Sequence, residues 1–181
     1  MLDYGKIYEV DSFLTEDELK QTIIEFEQGK WGLHAGELEL RNTHRIPIRT
    51  FWYKQLDHGG YIETILKKKI ETILKCKIET IRIYGNGQTH SQTAWVHTDD
   101  STNDGNTYGS LVYYLHKNWQ PHLGGHLIFV EGNEVVKSIF PKSNSAVIFN
   151  SIMNHCALEP TVYCLDMRTS IALKFKVIND N

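Results

Sequence analysis

Two residues with metal-binding side chains, His97 and Asp99, are separated by a single residue in the chain. They lie at the end of a predicted strand over residues 93–98, and side chains two positions apart on a strand point to the same face. An imidazole and a carboxylate on one face can bind the same metal ion. Taken alone, the pair is explained at least as well by two polar residues at the end of a strand that bind no metal. A His-x-Asp motif arises easily by chance in a chain with nine histidines.

A third potential ligand and a fixed cation follow further along the chain. His155 comes after the apolar strand-like stretch 145–150, and Arg168 stands at the start of the last one. Two histidines and one carboxylate form the ligand set of non-haem iron(II) sites, although affinity alone would not reject zinc or nickel. A guanidinium binds a carboxylate through two parallel hydrogen bonds, so Arg168 is suited to a dicarboxylate ligand. The four residues together predict an iron site with an anion pocket beside it.

Two helices are predicted before these residues. Thr15 and Glu18 form a capping box, which predicts a helix over residues 16–28 that ends before Gly29. A second helix is predicted over residues 60–75, where isoleucine and leucine side chains recur on one stripe. The lysines on its other face indicate a solvated surface, with a surface for polyanions as the alternative.

The rest of the chain has the pattern of a β-protein. One strand is predicted between the helices, over residues 45–53, and short strands separated by turn residues follow from residue 78 onward. The predicted later strands are 78–84, 93–98, 108–116, 126–131, 134–140, 145–150 and 169–178. This spacing favours a sandwich or jelly roll with the helices packed on one sheet. We therefore predict a single domain, 1–181, with a helical lead-in over 1–77 that includes a strand, and a β-core over 78–178.

The length and net charge of the chain limit the classes of function that it can have. A chain of 181 residues suits one domain. Its net charge of -3 offers no general attraction to nucleic acid or to anionic membranes. The three cysteines form no disulfide framework, and neither a signal peptide nor a membrane span is visible. A soluble cytoplasmic protein is the expectation.

From residue 84 to residue 175 the sequence resembles the double-stranded β-helix oxygenases that depend on Fe(II) and 2-oxoglutarate, in particular those of the prolyl 4-hydroxylase type. The matching elements, in order, are Tyr84-Gly-Asn-Gly87, His97-Thr-Asp99, VYYLHKNW over 112–119, GGHL from Gly124, His155, and Arg168-Thr-Ser170. The early segment VDSFLTEDEL is also similar to the helical lead-in of that family. The resemblance implies a double-stranded β-helix (jelly roll, cupin-like) core flanked by helices on one sheet.

The resemblance also implies a role for individual residues. His97, Asp99 and His155 would bind Fe(II). Arg168 would hold the distal carboxylate of 2-oxoglutarate, helped by a hydroxyl from Tyr84 or Tyr114 and by Ser170. The interval between His155 and Arg168 is longer than the family pattern, which indicates a small insertion in CALEPTVYCLDM.

The reaction implied is that of a dioxygenase. It would use O2 and 2-oxoglutarate to hydroxylate a substrate C–H bond, giving succinate and CO2, and stimulation by ascorbate is left open. A prolyl or other residue in a peptide or protein is the expected substrate, and the protein is expected to be a monomer or homodimer that does not bind membranes.

Three other functions remain as alternatives. One is a hydroxylase of a free amino acid or small metabolite, which the sequence does not separate from a peptidyl hydroxylase. Another is a nucleic-acid dealkylating oxygenase, but that class carries a second arginine where this chain has Lys174, and the acidic net charge also disfavours it. The last is a non-catalytic cupin-like metal-binding module, which the presence of all three ligands and Arg168 disfavours.

His116, in the HKNW turn, is interpreted as a structural residue.

Overall fold

The computed structural model describes residues 2–3, 5–35, 50–100, 102 and 104–178. In chain order its elements are β1 (Tyr8–Val10), α1 (Glu16–Glu27), β2 (Gly32–Ala35), β3 (Thr50–Gln55), α2 (Tyr61–Leu74), β4 (Lys77–Gln88), β5 (Tyr108–Tyr114), a 3-10 helix (Pro121–Leu123), β6 (Leu127–Glu131), β7 (Glu134–Ile139), β8 (Ser145–Asn150), β9 (His155–Ala157) and β10 (Arg168–Ile178).

The strands form two antiparallel sheets. The large sheet has the order β1-β8-β5-β10-β4-β3-β2, and the small sheet has the order β7-β6-β9. Strands β1, β2 and β3 precede residue 78, so the lead-in contributes both helices and both edges of the large sheet. This architecture confirms the predicted mainly β, jelly-roll fold with two helices.

The two predicted helices are confirmed, and local interactions explain where they begin. The Thr15 hydroxyl accepts a hydrogen bond from the Glu18 amide, and Glu18 accepts one in return from the Thr15 amide, as a capping box requires. In α2 the side chains of Ile62, Leu66 and Ile70 are buried at every fourth position, which places them on one face. Among the described helices, none is long and apolar enough to cross a membrane.

The large sheet separates two apolar clusters. On β5, Leu111 and Tyr113 pack in a cluster that contains the buried face of α2. Tyr114 instead packs in a second cluster, together with Leu127 and Phe129 of the small sheet. Neighbouring residues of a strand point to opposite faces. The helices therefore cover one face of the large sheet, and the small sheet covers the other.

The predicted strand over residues 93–98 is wrong. In this segment only His97 forms an isolated bridge, opposite His155. The backbone amide of Ala94 bonds to Ala157, whereas the amide of Asp99 bonds to Ser151. Because the partners do not follow one register, no continuous ladder forms, although the segment still lies along β9.

Three short strands were not predicted: β1, β2 and β9 have only three or four residues each. Alternation over so few positions is too short to recognise in a sequence. The predicted strand over 45–53 corresponds to β3 from Thr50 onward, and its residues 45–49 lie outside the described part of the chain.

Candidate active site

The side chains of His97, Asp99 and His155 meet between the two sheets. One ligand atom from each lies within 4.8 Å of the others. The Nε2 atom of His97 is 3.5 Å from Oδ1 of Asp99, and Nε2 of His155 is 3.4 Å from Oδ2 of Asp99. Two imidazoles and one carboxylate converge on a single point, which is the arrangement a metal ion needs.

Backbone carbonyls fix the ring orientation of both histidines. Nδ1 of His97 lies 2.7 Å from the carbonyl oxygen of Trp95, and Nδ1 of His155 lies 2.9 Å from that of Met153. A carbonyl only accepts hydrogen bonds, so each Nδ1 donates a proton to its carbonyl, and Nε2 is the ring nitrogen that faces Asp99. In both histidines Nε2 is therefore the nitrogen that a metal ion would bind, in place of any hydrogen bond to Asp99.

Hydrogen bonds between backbones bring the three ligands together. The amide and carbonyl of His97 pair with those of His155 at 3.0 and 2.9 Å, so the two residues stand side by side. The amide of Asp99 bonds to the carbonyl of Ser151, 2.8 Å away, in the turn that follows β8. The triad thus depends on contacts between segments more than 50 positions apart in the chain.

The Asp99 carboxylate is held by two further groups. The Ser110 hydroxyl donates to Oδ2 at 2.6 Å, and the Lys174 ammonium contacts the same oxygen. Burial by itself raises the pKa of Asp99, but the hydrogen bond from His97 and the charge of Lys174 outweigh burial and hold this pKa well below its usual range. Asp99 is therefore ionised at neutral pH.

Arg168 occupies a fully buried position beside the triad. Its Nε donates to the carbonyl of Gly125 at 2.6 Å, and its Nη1 donates to Oε1 of Gln88 at 2.9 Å. Its guanidinium carbon lies 5.4 Å from the centre of the Tyr114 ring. Within the described chain, Nη2 of Arg168 and the hydroxyl of Tyr114 are both buried without a hydrogen-bond partner.

These two unsatisfied groups test whether 2-oxoglutarate fits. A buried donor without a partner costs about 1–3 kcal/mol, so proteins seldom keep one unless a ligand or water satisfies it. The guanidinium and phenol here are matched to a carboxylate, which accepts hydrogen bonds from both. Arg168 and Tyr114 therefore fit the distal carboxylate of 2-oxoglutarate.

Gly125 makes room for the arginine. Its φ is +76°, a conformation that disfavours side chains, and a Cβ at this position would lie only 2.9 Å from Cδ of Arg168. A Cβ on Gly124 would instead meet Thr161. Of the two glycines in the GGHL motif, only Gly125 thus allows the close approach to Arg168.

Tyr84 and Ser170 line the same cleft as the triad, together with Arg168 and Lys174. Ser170 is buried between these two cations on the site face of β10. The Tyr84 ring stacks on Tyr53, with a centroid distance of 5.5 Å. The aromatic ring that lies beside Arg168 is that of Tyr114, which makes Tyr114 the better candidate for a phenol bound to the cosubstrate.

The sequence did not indicate Lys174 as a site residue. Lys174 shares a face of β10 with Arg168 and Ser170, so counting every second residue from Arg168 would have found it. His116 is buried, with its ring centroid 4.2 Å from that of Trp119, and its Nε2 has no partner among the described residues. It lies outside the lining of the cleft that holds the triad, so it keeps the structural interpretation made from the sequence.

Two buried histidines should make stability depend on pH. Burial, together with the charge of Arg168, lowers the pKa of His116 from 6.5 to about 3. Burial lowers the pKa of His155 from 6.5 to about 4, against the attraction of Asp99. Both folded-state values are below the unfolded value, so their contribution is complete above pH 6.5 and is lost as the pH falls toward 4. At pH 5 each histidine should remove about 2 kcal/mol from the free energy of unfolding.

Urea unfolding of the metal-free protein at pH 7.5 and pH 5 measures this loss. In the variant His116→Gln, the difference between the two pH values should shrink by about half, because one of two equal contributions is gone. Comparing pH values within each variant cancels any direct effect of the substitution. Equal pH dependence in wild type and variant would contradict the assignment of a depressed pKa to His116.

Known structures share this fold. A prolyl hydroxylase from Trichoplax adhaerens, solved with a peptide fragment of the hypoxia inducible factor oxygen degradation domain, superposes with a TM-score of 0.68 at 20% identity, covering 93% of this chain and 82% of that one. An oxidoreductase of the 2OG-Fe(II) oxygenase family from Burkholderia pseudomallei gives 0.69 at 13% identity, covering 93% and 84%. The viral collagen prolyl hydroxylase of Paramecium Bursaria Chlorella virus-1, in complex with 2OG, gives 0.63 at 15%, covering 97% and 98%.

At these identities the structures show a common fold, while the family is shown by sequence. No curated protein matches the chain in sequence. The family profile described as the 2OG-Fe(II) oxygenase superfamily matches residues 80–175, more than half of the chain, and this range includes all four residues of the candidate iron and anion site. The chain therefore belongs to the 2OG-Fe(II) oxygenase superfamily and is a dioxygenase that uses Fe(II) and 2-oxoglutarate.

Proposed function

We propose that this enzyme hydroxylates a C–H bond of a residue within a peptide or protein, with proline as the first candidate. The observation that carries the proposal is the exposed apolar surface on the loop between His155 and Arg168. Two of the structures with the same fold are prolyl hydroxylases, and one of them was solved with a peptide. These relatives support the choice of proline.

In this proposal the chain supplies two adjoining sites. His97, Asp99 and His155 hold Fe(II), and Arg168 with Tyr114 holds the distal carboxylate of 2-oxoglutarate. When both are bound, they supply an oxidation in which O2 and 2-oxoglutarate give succinate, CO2 and one oxygen atom inserted into the substrate C–H bond. The protein positions the two groups and limits access of water to the buried side of the cleft.

The loop over residues 158–167 connects one metal ligand to the anion-binding arginine, so both of its ends lie at the site. On this loop Tyr163 is 79% exposed and Leu165 is 99% exposed. Trp95 and Val96, next to His97, are about half exposed. The amide of Glu159 bonds to the Thr93 hydroxyl, which ties the loop to the segment that carries these two residues. Exposed apolar side chains on segments that border a site are candidates for substrate contacts.

A surface of this kind suits a chain of residues better than a single small molecule. A free amino acid is enclosed by its pocket and gains nothing from apolar side chains outside it, whereas a peptide can cover them. A nucleic-acid substrate is disfavoured, because the Lys174 ammonium is already engaged by Asp99 and the net charge is -3.

Mass spectrometry of proline-containing peptides tests the proposal. Incubation with Fe(II), 2-oxoglutarate and O2 is expected to add about 16 Da to a peptide, the mass of one oxygen atom, with one succinate formed per hydroxylation. The matched peptide with alanine in place of proline should remain unmodified. Turnover of free amino acids without any peptide turnover would contradict the proposal, as would dealkylation of a methylated oligonucleotide.

The exposed loop provides a control within the same assay. Leu165→Ser should raise KM for the peptide several-fold, since apolar contact is lost. Val135→Ser removes another exposed apolar side chain from β7, at the edge of the small sheet, and should leave this KM as in wild type. Equal KM values for wild type and both variants would show that the loop does not contact the substrate.

A further inference from the structure

Lys174 places a positive charge at the metal site. Its ammonium contacts Oδ2 of Asp99 and lies 3.4 Å from the Ser110 hydroxyl. The residue stands opposite Ser110 in the pairing of β10 with β5 and lines the same cleft as Arg168. Only 16% of its side chain is exposed, so solvent screens this charge little. A lysine side chain has no lone pair for a metal while it is protonated, so Lys174 is not a ligand itself.

The role of Lys174 can be argued from the formal charges of the groups at the site. Asp99 carries one negative charge, and Lys174 and Arg168 carry one positive charge each, so these three residues have one net positive charge. A divalent metal ion adds two more positive charges beside the ammonium, which opposes binding of the metal alone. The dianion 2-oxoglutarate removes two charges again. Without Lys174, the metal alone would meet no net positive charge, and the dianion would be attracted less strongly to the metal-loaded site.

We infer that Lys174 couples the binding of 2-oxoglutarate to the binding of the metal ion. The ammonium disfavours the state with metal only and favours the state with metal and dianion together, so each ligand strengthens the binding of the other. This inference rests on the proposed ligand roles of His97, Asp99 and His155, but not on the choice of a peptide substrate. By this reasoning Lys174 is a positioning residue that acts through Asp99 and through its charge.

A purely structural role for Lys174 makes a different prediction. If the lysine did no more than fix the orientation of the Asp99 carboxylate, its loss would weaken metal binding equally with and without 2-oxoglutarate. The ratio of the two metal affinities, the coupling factor, would then be unchanged. The coupling factor therefore separates the two roles, and it does not depend on catalytic turnover.

The experiment measures metal binding to the full chain, with Mn(II) as a redox-stable probe. Electron paramagnetic resonance quantifies the Mn(II) that remains free in solution. Dissociation constants are determined without oxygen, with and without saturating 2-oxoglutarate, for wild type, Lys174→Met, Lys174→Arg and Lys176→Met. The methionine variant keeps the length and packing of the side chain while removing its charge. Lys176, the next lysine along β10, provides a matched loss of charge outside the cleft lining.

We expect Lys174→Met to bind Mn(II) alone more tightly than wild type and to lose about tenfold in the coupling factor, a size typical of two linked sites. Isothermal titration of the Mn(II)-loaded protein should show weaker binding of 2-oxoglutarate by a matching factor, because coupling is reciprocal. Lys174→Arg, which keeps the charge, should retain most of the coupling. Lys176→Met should behave as wild type.

An unchanged coupling factor in Lys174→Met, with Mn(II) still bound by wild type, would overturn this inference and leave the metal site in place. A wild-type protein that binds no Mn(II) would overturn the assignment of the triad itself, and the inference with it. Neither result depends on whether peptides are hydroxylated. Circular dichroism and thermal unfolding of each variant identify any loss of fold. If Lys174→Met does not fold, Lys174→Arg carries the test, since a roughly tenfold loss of coupling despite the retained charge would also overturn the inference.

Discussion

Replacing His97 with alanine is expected to abolish both metal binding and 2-oxoglutarate turnover. His97 presents Nε2 to Asp99 and is the most exposed of the three ligands, so its loss should disturb the fold least. Loss of a residue that merely supports a ligand typically weakens a metal site 10–100-fold, so loss of a ligand should weaken it by more than roughly 100-fold. Succinate formation and the visible charge-transfer band of the anaerobic complex with Fe(II) and 2-oxoglutarate are the two measurements.

His90→Ala is the matched control for this substitution. His90 is also a partly exposed histidine near the cleft, but its Nδ1 faces the carbonyl of Pro160 and the carboxylate of Glu159 instead of the triad. The band and the succinate yield should both persist in His90→Ala. A His97→Ala protein that keeps wild-type turnover would contradict the metal site, whatever the substrate.

Replacing Arg168 with methionine is expected to raise KM for 2-oxoglutarate by a factor of roughly 150–5000, because removing one partner from a buried pair of opposite charges costs about 3–5 kcal/mol. Metal binding should persist, since Arg168 contacts none of the three ligands within hydrogen-bond distance. The measurement is the dependence of succinate formation on 2-oxoglutarate concentration, with Mn(II) binding as the test of the intact metal site.

Two milder variants show which property of Arg168 matters. Arg168→Lys keeps the charge but loses the planar pair of donors, and should lie between wild type and the methionine variant. Tyr114→Phe removes only a hydroxyl, worth about 1 kcal/mol, so KM for 2-oxoglutarate should rise roughly fivefold. If Arg168→Met bound Mn(II) normally and kept the wild-type KM, the distal carboxylate would have to bind elsewhere.

Local sequence signals were sufficient for most elements of the fold. The capping box at Thr15 and Glu18 and the apolar stripe of α2 act within one or two helical turns, and both helices are where they were predicted. Runs of six or more β-forming residues bounded by turn residues located β8 with both ends correct and β10 within one residue. The same approach wrongly predicted a strand over residues 93–98, just before Asp99. The hydrogen bonds of this segment go to two different partners, so no regular strand forms.

The sequence alone identified the candidate residues for binding a metal and an anion, and their order along the chain. His97, Asp99, His155 and Arg168 could be named without a structure because few side chains have the required chemistry, and the resemblance to a family supplied their roles. Their distances could not be derived in this way. The triad depends on the bridge between His97 and His155, 58 positions apart, and on the bond from Asp99 to Ser151.

Only the tertiary structure decided the surroundings of these four residues. It chose Tyr114 over Tyr84 as the ring beside Arg168, identified Gly125 as the glycine that gives the arginine room, and brought Lys174 against Asp99. The physical reason is that such contacts are made across strands that pair only after folding. A sequence specifies which face of a strand a side chain occupies, whereas its neighbours on that face are set by the register between distant segments.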